Sequence, residues 1–185
     1  SSEAPRKLVF SDDFERADLG AKWHRGKGEG GKGTWRIEKG GLVANDIRND
    51  APWLTEALPE RVRVEFDATS TTAEGDPKFE IFGDGQRHES GSIVIFGGWS
   101  NQLDVIARLD EHGKDRKAQP TKKVVQNKTY RFAVERTSNT LTWYLDGSKV
   151  MEYEDPKPLK GQKHAYFGFN DWQAPVRFDN VKVFE

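Results

Sequence analysis

The 185-residue chain predicts an all-β fold, an antiparallel sandwich, and three observations carry the prediction. Short runs alternate apolar and polar residues from end to end, with turn residues between them. Helical periodicity is nearly absent. One segment, TLTWYLDGSKVMEYE (140–154), is a marked hairpin, because Asp146-Gly147 is the dipeptide that type I′ turns favour where both central residues need positive φ.

The elements follow in order. Strands are expected at 7–10, 34–37 and 41–45, then at 61–68, where RVRVEFDA puts Val62, Val64, Phe66 and Ala68 on one face and charges on the other. Further strands fall at 78–83 and at 91–97. SIVIF (92–96) is apolar at every position and reads as a central strand covered on both faces. The next, at 101–109, places Leu103, Val105, Ala107 and Leu109 toward the core, and Gln102, Asp104, Ile106, Arg108 and Asp110 on the opposite side. TYRFAVER (129–136), the hairpin, 164–170 and 175–184 complete the set. In the last strand the apolar phase slips between Phe178 and Val181, which predicts a β-bulge near Asp179-Asn180. Residues 1–6 read as a tether, and 7–185 as one β-sandwich domain. Trp35 and Trp143 belong to the core.

Bulk composition narrows the function. Lys and Arg number 29 against 30 Asp and Glu, so the net charge is −1 and a dedicated nucleic-acid binder is not expected. The basic run KDRKAQPTKK (114–123) reads as a solvated loop. No stretch approaches the roughly 20 apolar residues of a membrane span. With no cysteine there is neither a disulfide nor a zinc–thiolate site. His24, His88, His112 and His164 are scattered without zinc spacing. No phosphate loop, nucleophile elbow or dinucleotide fingerprint occurs. The small-polar start SSEAPRK suits a processed or surface-tethered chain, so a secreted, periplasmic or cell-surface location, lipoprotein included, is the expectation.

The segment YRFAVERTSNTLTWYLDGSKV (130–150), followed by FDNVKV (178–183), resembles the concanavalin A-like or laminin G-like jelly-roll superfamily. An early DDF (12–14) and WRIEKGGLVAND (35–46) extend the likeness over most of the chain. The resemblance implies two curved antiparallel sheets, one concave and open to ligands. Its members include bacterial β-glucanases, laminarinases and 3-keto-disaccharide hydrolase-type domains. It also implies a structural calcium held by the carbonyls of Asp13 and Gly40 and by Asp179, all oxygen donors as calcium requires. The glucanase motif strand maps onto DPKFEIFG (76–83), with Asp76 at the nucleophile position and Glu80 at the acid/base. Lys78 stands where the middle acid should be, and Pro77 interrupts the strand, so the standard retaining mechanism is not expected.

Two sets of residues are therefore candidates. Trp99, Asn101, Asp104, Arg108 and Trp172 suit ligand contact, since an aromatic ring and planar polar groups are how proteins hold sugars. Trp53 is in a similar loop setting. The expected function is a non-catalytic carbohydrate-binding or interaction module, its partner a glycan or another protein. The competing expectation is a glycosidic-bond hydrolase using Glu80, Asp104, Glu111 and His112 as acids and bases. For DEHG (110–113) a plain hydrophilic turn is the simpler reading.

Overall fold

The computed structural model describes residues 6–185. Its first strands are β1 (Leu8–Asp12), β2 (Trp23–Arg25), β3 (Arg36–Glu38), β4 (Gly41–Ala44), β5 (Pro52–Leu54), β6 (Val62–Ser70), β7 (Lys78–Gly83) and β8 (Ser92–Gly97). There follow β9 (Leu103–Arg108), β10 (Lys117–Pro120), β11 (Thr129–Thr137), β12 (Thr140–Leu145), β13 (Ser148–Glu154), β14 (Tyr166–Asn170) and β15 (Val176–Phe184). They form two antiparallel sheets. The eight-stranded sheet runs β13-β12-β11-β6-β15-β4-β3, with β1 added against β15. The seven-stranded sheet runs β10-β9-β8-β7-β14-β5-β2. This is a concanavalin A-like jelly-roll sandwich. The expected tether lies outside the described residues except for Arg6, which is docked on Glu135 at 2.5 Å.

The local chemistry explains the path. Asp146 (φ 49°) and Gly147 (φ 82°) both take positive φ and turn β12 into β13. The bulge in β15 falls between Asp179 and Lys182, with Asn180 at φ 50°. It lets β15 pair with β4 through Val176–Phe178 and with β1 through Val181–Phe184. Between the sheets lies an aromatic core. Phe66 is its hub, with the rings of Phe79, Phe132, Phe167, Phe169 and Phe178 centred 5.0–5.9 Å away. Truncating such a residue to alanine costs about 3–5 kcal/mol. Trp35 and Trp143 are buried there too.

Three strands escaped the sequence pattern: β2, β5 and β10 have only three or four residues each, and β5 and β10 contain proline. β10 lies inside the basic run expected to be a loop. It is the edge of its sheet, and it faces the other sheet's edge, β13. Lys117 Nζ donates to the Glu152 carbonyl (2.8 Å) and Gln119 Nε2 to the Val150 carbonyl (3.1 Å). Side chains of one edge thus satisfy main-chain acceptors of the other.

β8 is buried at every position, as expected. Its neighbour β9 is buried on both sides as well, and here the expected facing is reversed. Val94 pairs with Ile106, and both pack in the main core. Ile93, Ile95, Val105 and Ala107 form a second apolar cluster on the opposite face. With apolar residues on both faces, alternation alone does not tell inside from outside.

Candidate active site

β7 lays the foundation. Phe79 and Ile81 enter the core, so Lys78 and Glu80 stand on the opposite face of the seven-stranded sheet. Asp76 precedes them in a left-handed conformation (φ 70°), its N–H donating to the Phe96 and Gly97 carbonyls at 3.1 Å each. Register places Asn170 beside Lys78, Ile95 on its other flank, and Ile93 beside Glu80. Turns supply the rest: His88, Glu111 and Trp99 on one side, Asn49 and Trp172 on the other. Together these line a cleft of about 620 Å³.

Glu80 is fully buried and paired with His88 Nδ1, while Asn170 Nδ2 donates to its Oε1 at 2.5 Å. The Nδ1 side of the imidazole is thereby fixed. Nε2 has no hydrogen-bond partner among the described residues and lies 3.7 Å from Glu111 Oε2. Lys78 is also buried. Its ammonium donates to Asn49 Oδ1 (2.7 Å), Asn49 Nδ2 donates to Glu29 (2.9 Å), and Glu111 stands 3.7 Å from the same nitrogen. Asp171 is buried with neither carboxyl oxygen in a hydrogen bond of good geometry.

This arrangement drives the ionisable groups apart. Burial pushes Asp76 up to about 6, opposed by Lys78 and reinforced by Glu111 and Glu74. Burial pushes Asp171 up to about 8, with Lys78 countering and Asp76 adding to the rise. For His88 burial acts downward, but Glu111 and Glu80 outweigh it and raise the imidazole to about 9. Against the cost of its own burial, Glu111 is held down at about 2 by His88, Lys78 and His112. Burial raises Glu80, against His88, Lys78 and Asn170.

Two tryptophans flank the cleft. Trp99 is 36% exposed and Trp172 40%. The Arg116 guanidinium lies 4.9 Å from the Trp99 ring, and the His112 ring meets Trp99 edge-on at 5.7 Å. Lys78 and Arg48 each stand 5.9 Å from Trp172. Trp99 rides on a turn of the wrong hand: Trp99, Ser100 and Asn101 take φ of 52°, 58° and 60°. Left-handed conformation costs non-glycine residues roughly 1–2 kcal/mol each. Asn101 offsets this cost by donating to the Val124 carbonyl (2.9 Å) and accepting the Val124 N–H (2.8 Å). Asp104 accepts the Gly97 N–H at 3.1 Å.

The sequence candidates therefore separate. Trp99, Trp172, Glu111 and His112 line the cleft, with Glu80 just beneath it. Asn101 and Asp104 are supports of the Trp99 turn, with no place in the lining. Arg108 points away altogether, pairing with Asp155 at 3.1 Å and the Lys157 carbonyl at 3.0 Å. The reversed facing of β9 accounts for both misplacements. Trp53 is buried against Gly83 and Gly168 and lines no part of this cleft. His88, Asn49 and Asp171 were not anticipated. They sit in turns, where periodicity is silent.

Around the Gly40 turn, the Glu15 carboxylate lies against Gly40, and Asp179 feels Glu15 and Asp67 as like charges. Asp13 and Asp179 accept local N–H groups from Glu15 and Asn180. Arg177 already takes the Glu38 and Lys39 carbonyls. Among the described residues no group of three His, Cys, Asp or Glu side chains is placed to hold a metal. Any calcium here would rest on carbonyls, waters and Asp179. A separate hollow of about 720 Å³ between β1 and the 16–22 loop holds the Asp12–Arg16 ion pair, with Trp23 Nε1 also bound to Asp12. It has no comparable cluster.

A concanavalin A-like sandwich with a cleft of buried acids and bases on its seven-stranded sheet is the class of protein these features define. Solved structures agree on the fold. The carbohydrate binding module CBM66 from Bacillus subtilis superimposes with a TM-score of 0.70 at 18% identity, over 91% of this chain and 98% of that one. The β-glucanase of Bacillus licheniformis gives 0.69 at 13% identity, over 95% and 97%. A laminarinase from Flavobacterium sp. UMI-01 gives 0.69 at 11%, over 97% and 100%. No curated protein matches the sequence. The chain belongs to the family of 3-keto-alpha-glucoside-1,2-lyase-like domains, whose model matches residues 10–184.

Proposed function

We propose that the cleft is an active site that eliminates the glycosidic oxygen of a 3-keto-α-glucoside. The observation that carries this reading is the pair Asp76 and His88, pushed to about 6 and about 9 beside a buried lysine. Near neutral pH the first is then a carboxylate base and the second an imidazolium acid, the division of labour acid–base catalysis needs. The family description supplies the substrate class.

The chemistry follows from a carbonyl at C3. Asp76 takes the proton from C2, which that carbonyl acidifies, and the electron pair moves toward the C3 oxygen. Lys78 holds the developing negative charge. The enolate then re-forms the carbonyl and expels the C1 oxygen, which takes the proton of His88 Nε2. The C2–H and C1–O bonds break, a C1–C2 double bond forms, and no redox partner is needed. Glu80, itself held by the Asn170 amide, keeps Nδ1 occupied, and Glu111 raises the imidazole while facing the Lys78 ammonium. Trp99 and Trp172 stack against the sugar on either side.

The test is release of nitrophenol from a 3-keto-α-glucoside carrying that leaving group. Release well above the buffer rate, lost in Asp76→Asn and His88→Gln, supports the proposal. A rate equal to buffer, or one unchanged in both variants, overturns it.

A second reading is binding without turnover. The two arginine-backed, partly exposed tryptophans favour it, as does the likeness to a binding module. Saturable glycan binding that Trp99→Ala weakens, with no product formed, would establish it instead. Calcium at Asp13, Gly40 and Asp179 is a separate proposal. At a hundredfold excess over its Kd, calcium would add about 2.7 kcal/mol of stability. Melting in calcium and in chelator checks this, and equal Tm values would dismiss the ion.

A further inference from the structure

The face that carries the cleft continues past it. Register runs from Glu80 on β7 to Gly168 on β14, Trp53 on β5 and His24 on β2. At strand spacings of 4.7–4.9 Å, His24 lies about 14 Å from Glu80 along this row. Between them the 84–91 turn is tied to the 26–28 segment, with Lys27 N–H donating to the Gln86 carbonyl at 2.6 Å. Beyond that strap lies a second depression of about 230 Å³, lined by His24, Trp53, Leu54, Thr55, Asp84, Gly85, Gln86 and Tyr166.

We infer that this depression is a second saccharide site, holding one neutral pyranose unit apart from the cleft. Three features argue for it. Tyr166 is half-buried and presents a ring whose edge is kept clear by Gly85: a Cβ there would come within 3.3 Å of it, and φ of +78° makes glycine the residue that fits. An apolar ring bordered by polar groups suits the C–H face of a sugar. Polar groups stand fixed at the rim. Asp84 Oδ1 accepts the Gln86 and Arg87 N–H groups at 2.8 Å each, which holds the carboxylate still and leaves Oδ2 for hydroxyls. The Gln86 amide donates to His24 Nε2 at 2.9 Å, so amide and imidazole form one planar hydrogen-bonding edge. Size sets the third constraint. The hollow is below the roughly 300–1,000 Å³ of clefts that take larger ligands, so it fits one ring and not two. No buried ionisable group lines it, which makes it a site for holding sugar and not for transforming it.

The experiment uses the whole chain and methyl α-D-glucopyranoside at millimolar concentrations, read by amide chemical shifts. Saturable shifts at Gly85 and the Gln86 side chain are expected, with affinity at least tenfold weaker in Tyr166→Ala and unchanged in Trp172→Ala. Gln86→Ala, an exposed substitution that leaves the fold intact, should weaken binding as well. No shifts at these groups, or wild-type affinity retained in both Tyr166→Ala and Gln86→Ala, would overturn the site. Because Trp172 belongs to the cleft, binding here and turnover there succeed or fail separately.

Discussion

The two sheets each turn a face away from the core, and both faces carry charges, yet they treat them in opposite ways. On the eight-stranded sheet Arg63 bridges Glu65 (2.7 Å) and Glu135 (2.6 Å), Arg131 bridges Glu65 (3.3 Å) and Asp67 (3.2 Å), and Asn180 closes the row on Asp67 (2.8 Å). These charges are partly exposed and have partners on both sides. The seven-stranded sheet has more deeply buried charges with fewer partners: His88 Nε2, Glu80 Oε2 and both oxygens of Asp171 are left open. A ladder of matched charges is a finished surface. Buried groups left without partners in and beneath a cleft have their protonation states shifted, as functional sites require.

The sharpest way to break this contrast is by activity. Asp76→Asn or His88→Gln should reduce turnover by 10²–10⁴-fold, the usual worth of positioned acid–base groups. Arg63→Ala, on the other face, should leave it unchanged. Equal losses from all three would erase the distinction. Next comes stability against pH. Asp171 has its folded value raised to about 8 from 3.8, so the native state prefers the neutral acid. The native state therefore gains most below pH 4, and that gain is lost as pH rises toward 8. Asp171→Asn removes the loss and should be more stable than wild type at pH 8, by several kcal/mol at about 1.4 per unit. Urea unfolding from pH 4 to 9 measures this, and parallel curves would show that burial of the acid is harmless.

The turnover profile sharpens the contrast further. It should rise through about pH 6 as Asp76 ionises and fall through about pH 9 as His88 loses its proton. Glu80→Gln removes one of the two carboxylates that raise His88, so the alkaline limb should move to lower pH. An unmoved limb would detach His88 from it. The smallest effect belongs to the ladder. Glu135→Gln, which breaks the pairs with Arg63 and Arg6, should cost roughly 0.2–1 kcal/mol for each in denaturant unfolding, the range of partly exposed ion pairs.

Most of the fold was legible because two-residue alternation states directly which side chains share a face. VRVEFDA gave β6 its facing, whereas for β7 the span alone was expected and Lys78 and Glu80 entered through the likeness to the glucanase motif strand. The same logic reversed β9, since Val105 and Ile106 are both buried and only the register against Val94 tells them apart. That reversal carried Arg108 and Asp104 into a cleft they do not enter. His88 and Asp171 were illegible for another reason. His88 owes its character to Glu111 and Glu80, and Asp171 to burial with Lys78 opposing, and alternation states neither. Trp99 and Trp172 were readable as loop tryptophans, but the left-handed turn beneath Trp99 was not.

The seam between β10 and β13 has a consequence for the protein in bulk. A bare sheet edge is a template on which further chains add strand by strand until they precipitate. Here the Lys117 ammonium stands on the Glu152 carbonyl and the Gln119 amide on the Val150 carbonyl, where an incoming strand would have to bond. Filament growth from this edge would first have to evict these two side chains, which lie outside the cleft.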